Sequence, residues 1–550
     1  MAIEPSLLSQ LRSTASVAAM RNGRATAFLG FDACDPVLVQ RWARDGLLPN
    51  FSQLLGRAAC APVLLDPRYY VASLWTSFAT GRDPLTNGYV CWAAIEPGTY
   101  RDVPLAVGPH LGTPLWEVLS ANGRSVSVID VPHSWLPSAL DGSMVVDRCS
   151  HDRRGLARSL PASLCEELDD RVGVPRHASS SSEVVGPCDV VHRVGPLRSS
   201  DEQVELHRDL VADREVAAGS VVELLERDRP DFFCAVLADT HCVGHQLWHL
   251  HDPGHHRHDR LLRDVLGDPV LASYRQADRT LGEVLLRLDQ DAALFVLLSH
   301  GMGASHDGSA LLEPLLARLA ASWRGDARRR HPLARAADAM STTTQRAHLT
   351  GRAVSHVLRR TAVSSTEHAR IERSNEPWFA LPGAQSLGAV RLNLVDREPS
   401  GSIAAGSDAS RALSFLRTSL LELVNVDTGR PAIEHVEIEP PDAPGPFRER
   451  LADLVLHWRH DGLLQRVWSP RVGLVATSPG HWRSGDHRDR GLLMVSGPGV
   501  RGGARPALRI PDITASLLAS QGCEPAGVDG RARADLLPAG SRQSGPSRVG

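Results

Sequence analysis

Short apolar runs punctuate this chain at 26–31, 125–131, 232–237, 292–298, 453–458 and 491–495, and the stretches between them are far longer than a hairpin turn. Strands buried on both faces read as continuous apolar runs, and strands spaced this widely are joined by crossovers. The pattern therefore predicts an α/β fold: a mainly parallel central sheet with helices on both faces. Ligands on such sheets gather beyond the carboxyl ends of the strands, at a topological switch point. Polar residues follow the runs in that sense, with Asp32 after Ala-Phe-Leu-Gly-Phe, His241 just beyond Cys-Ala-Val-Leu, and His300 after Phe-Val-Leu-Leu-Ser.

Composition narrows the classes. With 550 residues, 42% of them hydrophobic, and a formal net charge of -3, the chain can bury a large core and carries no global bias toward nucleic acid or an anionic membrane. All 60 basic residues are arginine, which excludes a lysine Schiff base or a P-loop lysine. Nine scattered cysteines without a CxxC pair disfavour a disulfide framework and a thiolate zinc site, and fit a reducing cytoplasm. The N-terminal extension, 1–25, lacks a signal-peptide pattern, and no stretch reaches the ~18 consecutive apolar residues of a membrane span. A cytoplasmic location is expected.

One α/β domain is expected over 26–530, with 178–184 as a linker and 531–550 as a disordered tail. An arginine-rich stretch, carrying Arg328-Arg-Arg-His and His356-Val-Leu-Arg-Arg, opens an inserted, partly helical lobe at 322–425. Its charge either faces an anionic substrate or is solvated surface, and the second reading is preferred.

His241 and His245 are four residues apart, which puts both on one face of a helix. Two neutral imidazoles make half of a tetrahedral zinc site, and His487, in a Gly-Asp-His-Arg turn before the last apolar run, is placed to add a third. With 24 histidines in the chain, an HxxxH pair also arises by chance. His249, His251, His255, His256 and His258 crowd the same region and read as loop surface, supporting contacts or substrate contacts. Asp32 reads as a carboxylate ligand or as a helix cap, since Asp35-Pro36 looks like a helix start. The glycines of His300-Gly-Met-Gly allow close backbone approach to a ligand, or only a tight turn. Ser73, Thr76, Ser77 and Thr80 put hydroxyls near a helix N-terminus, where an anion is favoured and a metal could activate a nucleophile. Ordinary capping by Ser73 is the alternative.

Taken in order, these segments resemble the alkaline phosphatase superfamily, most closely its type I phosphodiesterase/nucleotide pyrophosphatase branch, over about 26–525. The resemblance rests further on Trp75-Thr-Ser-Phe-Ala-Thr-Gly-Arg-Asp-Pro, Thr113-Pro-Leu-Trp-Glu-Val-Leu, Ile129-Asp-Val-Pro, the segment 388–401 and the closing 485–500. It implies two metal ions, usually zinc, flanking a serine or threonine nucleophile. One ion would sit on an Asp-xxx-His pair plus a late histidine, and here His241 takes the aspartate place beside His245 and His487. The second would use an early Asp, the nucleophile and an Asp-His-Gly motif. Asp32 and His300 match, but Ser299 stands in the aspartate place and Val71 in that of the nucleophile. Ser73 could serve only with a shifted loop register.

The expectation is a metal-dependent hydrolase of phosphate esters with one well-held zinc, a doubtful second site and manganese as the alternative ion. Attack would come from water or from Ser73. The alternatives are a pseudoenzyme that binds metal or an anion, and a biosynthetic enzyme acting on another anionic ester. No Cys/Ser-x-Pro-x-Arg stretch lies near residue 71, which ranks sulfate hydrolysis lower. The expected partner is a small phosphate ester, its pocket walled by the arginine-rich insertion and by 391–398.

Overall fold

The computed structural model describes residues 25–66, 68–151, 153–176, 199–305, 308–325, 373–381, 387–439, 446–477 and 483–539. The linker read at 178–184, most of the arginine-rich stretch and the end of the tail lie outside the described residues.

Ten strands form the central sheet. They are β1 (Thr26–Phe31), β2 (Ala59–Leu64), β3 (Val126–Ile129), β4 (Gly142–Val146), β5 (Arg158–Leu160), β6 (Phe232–Leu237), β7 (Ala293–Leu298), β8 (Gly491–Ser496), β9 (Gly503–Ala504) and β10 (Leu508–Arg509). Their spatial order is β9-β2-β8-β7-β1-β6-β3-β4-β5, with β10 also alongside β2. The five central strands β7, β1, β6, β3 and β4 run parallel to one another. β8 enters antiparallel between β7 and β2, and β5 closes the far edge antiparallel to β4.

Period-two alternation explains why these strands read as unbroken apolar runs. In β7, Leu294, Val296 and Leu298 join the core on one face, while Ala293, Phe295 and Leu297 join the core on the other. Helices α1 (Pro36–Arg44), α3 (Asp239–His251) and α4 (Pro269–Arg287) cover the first face. Helices α2 (Ser73–Thr80) and α5 (Ile510–Ser520) cover the second. Asp35 starts α1 by accepting from Val37 N–H at 2.8 Å and Leu38 N–H at 3.1 Å, with Pro36 in the first turn.

Three expectations differ from the structure. The run at 453–458 does not join the central sheet: Leu454–Trp458 belongs to a separate antiparallel sheet, between Leu387–Leu392 and Ile433–Ile438, with Trp378–Ala380 at the far edge. A short apolar run records burial but neither the direction of the strand nor the sheet it enters. This second sheet packs against Ser407–Leu421 over its own core, which extends from Leu311 to Val475 and so passes the expected end of the lobe at 425. The tail begins later than expected as well, because Leu536 is fully buried against the central sheet with Leu508 and Ile513.

Among the described residues, no helix is long and apolar enough to cross a membrane.

Candidate metal centre

β1 delivers Asp32 to the carboxyl end of the sheet, where it is 2% exposed. Both of its oxygens are engaged: Oδ1 accepts from the Trp75 indole at 2.9 Å and from the Ser299 hydroxyl at 3.1 Å, and Oδ2 lies 2.6 Å from His241 Nδ1. Trp75 reaches Asp32 by lying across Gly30, where a Cβ would stand 2.7 Å from the indole ring. Burial works to raise the Asp32 pKa, but the charge and hydrogen bond of His241, with His300 and His151 nearby, outweigh it and hold the carboxyl well below its usual range. Asp32 was expected as a ligand, and in the structure its Oδ2 faces the His241 ring.

His241 and His245 project from α3 just beyond β6, one helical turn apart. His487 comes from the short strand Gly485–Arg488, which pairs antiparallel with Gly301–Ala304 and sets His487 opposite Met302. The strand and helix meet closely: Ser484 N–H donates to the His245 carbonyl at 2.7 Å, and a Cβ on Gly485 would lie 2.2 Å from the Gly244 carbonyl oxygen. The three imidazoles predicted to converge do so, with His241 Nε2 at 3.0 Å from His245 Nε2 and 2.8 Å from His487 Nε2.

The partners of the other ring nitrogens decide what this means. Asp32 is an acceptor, so His241 Nδ1 carries hydrogen; the Gly485 carbonyl accepts from His245 Nδ1 at 2.8 Å, so that nitrogen carries hydrogen too. In the neutral rings both Nε2 atoms then present lone pairs to each other at 3.0 Å. Only a cation between them relieves that repulsion. A proton on His241 Nε2 serves one facing nitrogen at a time, whereas a metal ion can serve several. Tetrahedral zinc bonds of about 2.0–2.1 Å place neighbouring ligand atoms about 3.3 Å apart, so the two contacts of His241 Nε2 would each open by a few tenths of an ångström. Burial, with Arg483 and the neighbouring imidazoles, pushes His245 well below the ordinary histidine range. Burial, with His300, His241 and Arg483, does the same to His487. Neutral imidazole is the form that binds metal.

Two more histidines complete the cluster. His300 follows β7, with Nδ1 3.0 Å from Ser299 Oγ and its ring 4.6 Å from that of His487. Ser299, where the resemblance calls for an aspartate, bridges Asp32, the Ala33 N–H and His300. His151 escaped the sequence reading. Its ring stacks on His241 at 3.5 Å between centroids, and its Nδ1 lies 3.2 Å from Cys242 Sγ. The loop carrying it is pinned by Asp130 at the end of β3, whose carboxylate accepts from Arg148 N–H and Cys149 N–H at 2.8 Å each. Ile129-Asp was therefore the available signal, a strand-end carboxylate with no ligand of its own. Burial raises Asp130 to about 6 despite those two donors. Two sets of imidazoles can each close on one ion, His151 with His241 and His245, and His241 with His300 and His487. His241 is common to both.

The nucleophile candidates lie elsewhere. Ser73 opens α2, with no side chain capping its N-terminus, and makes no hydrogen bond through its hydroxyl to any histidine of the cluster. With Val71, Tyr70 and Ser77 it lines a cavity of about 400 Å³ that none of the five histidines borders. Thr76 and Thr80 lie inside α2 and donate to the Ser73 and Thr76 carbonyls. The expected pocket wall at 391–398 is also a correction: Arg391 pairs with Glu398 at 2.6 Å, and Arg397 with Asp453 at 2.6 Å, in a buried ion network. His249 bonds Gln203, His251 bonds Asp268 and His258 bonds the His249 carbonyl, so these rings fasten the end of α3 to its surroundings.

No family model matches the sequence, and no curated protein matches it. Solved structures do. Phosphonoacetate hydrolase from Sinorhizobium meliloti 1021, in complex with phosphonoformate or phosphonoacetate, is similar at 16% identity, covering 89% of this chain and 94% of that one with a TM-score of 0.46. Murine ectonucleotide pyrophosphatase/phosphodiesterase 5 is similar at 10% identity, covering 92% of this chain and 97% of that one with a TM-score of 0.45. The chain is an α/β protein with a mainly parallel central sheet, and these solved structures are similar to it over most of its length.

Proposed function

We propose that this chain is a metal-dependent hydrolase of phosphate esters in the phosphodiesterase/nucleotide pyrophosphatase branch of the alkaline phosphatase superfamily that its sequence resembles, with one divalent ion, zinc foremost, on His241, His245 and His487. The opposed Nε2 lone pairs of His241 and His245 carry this reading, because both rings are turned inward by partners that accept only from Nδ1. Bound there, the ion would supply Lewis-acid polarisation of a phosphoryl oxygen and a water of lowered pKa.

The chain's residues have narrower tasks. Asp32 holds the His241 tautomer and balances charge, while Trp75 and Ser299 keep Asp32 in place. Engaged in this way, Asp32 is not free to build the second ion site that the resemblance implies. Val71 offers no nucleophilic atom and Ser73 turns into the neighbouring cavity, so direct attack by water replaces a covalent step. His151 and His300 border the trio and are the groups placed to complete its coordination.

A second reading has its own support. The five histidines are at most 4% exposed, and none borders the cavity beside Ser73. A centre closed in this way suits a protein that binds metal without turnover.

Metal analysis and kinetics together test both readings. We expect about one equivalent of zinc, lost in His245→Ala, and cleavage of an aryl phosphodiester that chelation abolishes and zinc restores. Protein without bound transition metal, and indistinguishable from His245→Ala, would refute the metal centre. Zinc binding without turnover across phosphate mono- and diesters would leave the second reading.

A further inference from the structure

The strand Ile433–Ile438 lies at the edge of the second sheet, and its register with Leu454–Trp458 sets His435 directly across from His457. Residues two apart on a strand share a face, so Glu437 joins the two imidazoles on one side of the sheet. An irregularity in the pairing between Ile433 and His435 re-aims the strand just before this group.

The rings of His435 and His457 stack with centroids 3.7 Å apart and planes 15° from parallel. Both Nε2 atoms approach one oxygen, Glu437 Oε1, at 3.4 Å from His435 and 3.7 Å from His457. These separations exceed the ~3.2 Å limit of a good N–H···O hydrogen bond. They match the spacing of donors around a shared ion, since zinc bonds of about 2.0–2.2 Å in tetrahedral array put neighbouring ligand atoms about 3.4 Å apart. His457 is 6% exposed, and its occluded Nε2 makes no hydrogen bond. A buried polar atom left in that state is costly, and an ion in the gap would satisfy it.

We propose that His435, Glu437 and His457 form a second metal site, for a divalent first-row transition ion such as zinc or cobalt, separate from the histidine centre. Two imidazoles and one carboxylate favour such ions over magnesium or calcium, and the remaining positions go to water. Two imidazoles on one ion stand further apart than a 3.7 Å stack, so binding requires a ring to move. His435 is the one that can: its side chain is 50% exposed, against 7% for His457. Asp489, two residues beyond His487, interacts electrostatically with both His435 and Glu437 and adds negative charge near the site.

Metal-free full-length protein titrated with cobalt, followed by visible absorption and then by zinc competition, tests the site. Wild type should bind one equivalent more than His435→Ala, and Glu437→Gln should weaken that class of binding at least about tenfold. Both side chains are solvent-accessible, so the variants should keep the wild-type circular dichroism. The same class should persist in His245→Ala, which separates this site from the histidine centre. Equal stoichiometry and affinity in wild type and His435→Ala would overturn the proposal.

Discussion

Replacing Asp32 by asparagine keeps the shape of the side chain and removes its charge. The amide oxygen can still accept from His241 Nδ1, but the amide can also turn and offer N–H, which would favour the tautomer that points hydrogen at the cluster. Loss of a carboxylate partner behind a ligating histidine typically costs about 10–100-fold in metal affinity. Asp32→Asn should therefore weaken zinc binding by that factor, measured by competition with a chromogenic chelator, without unfolding the protein. Unchanged affinity would mean that Asp32 serves only the packing around Trp75. Spacing made the HxxxH pair visible in the sequence, though 24 histidines could also supply such a pair by chance, and the family resemblance tied His487 to it. Neither could show that Asp32 stands behind His241, since an aspartate at a strand end looks the same whether it binds an ion, caps a helix or orients a ring.

At the scale of elements, the centre depends on how closely α3 approaches the strand Gly485–Arg488. The helix departs from helical geometry at Leu247, and Ser484 bonds the His245 carbonyl beside that kink. Gly485→Ala would drive a methyl group to 2.2 Å from the Gly244 carbonyl oxygen, and either backbone must yield. We expect a loss of roughly 1–3 kcal/mol, as for other overpacked sites, together with loss of zinc binding as His487 moves away from His245. Gly56→Ala is the control, since it lies in the helix Pro49–Arg57 with nothing within 4 Å of the added carbon. It should leave stability unchanged or slightly raised in urea unfolding. Helical spacing and strand-length apolar runs announced most of these elements. The kink and the antiparallel entry of β8 were not announced, because the contacts beside both come from segments distant in the sequence.

For the whole molecule, burial of ionisable groups sets the response to acid. His245 and His487 are pushed well below the ordinary value of 6.5, and burial lowers His249 to about 4, His255 to about 3 and His457 to about 4. Between those values and 6.5 the unfolded chain holds more protons than the folded one, so each such histidine lowers stability as pH falls. Asp130 and Asp239 oppose this: burial raises both to about 6, so below that pH the folded state takes up their protons first. With His207 also lowered by burial, six histidines stand against the two carboxylates raised as far as about 6. Metal-free protein should lose stability from pH 7 to pH 5, by about 1.4 kcal/mol per pH unit for each net proton, read from urea unfolding at each pH. A flat or rising profile would contradict it. The sequence by itself determined the layered α/β architecture, the strand-end placement of Asp32, His241 and His300, and the HxxxH pair, while its family resemblance pointed to the meeting with His487. Periodicity and spacing are local quantities, and they survive in one dimension. Only the tertiary structure brought in His151, set Asp32 against His241, Trp75 and Ser299, and moved Leu454–Trp458 into a second sheet. Each of those outcomes depends on which distant groups share a buried volume, and on which of their lone pairs and protons find partners there.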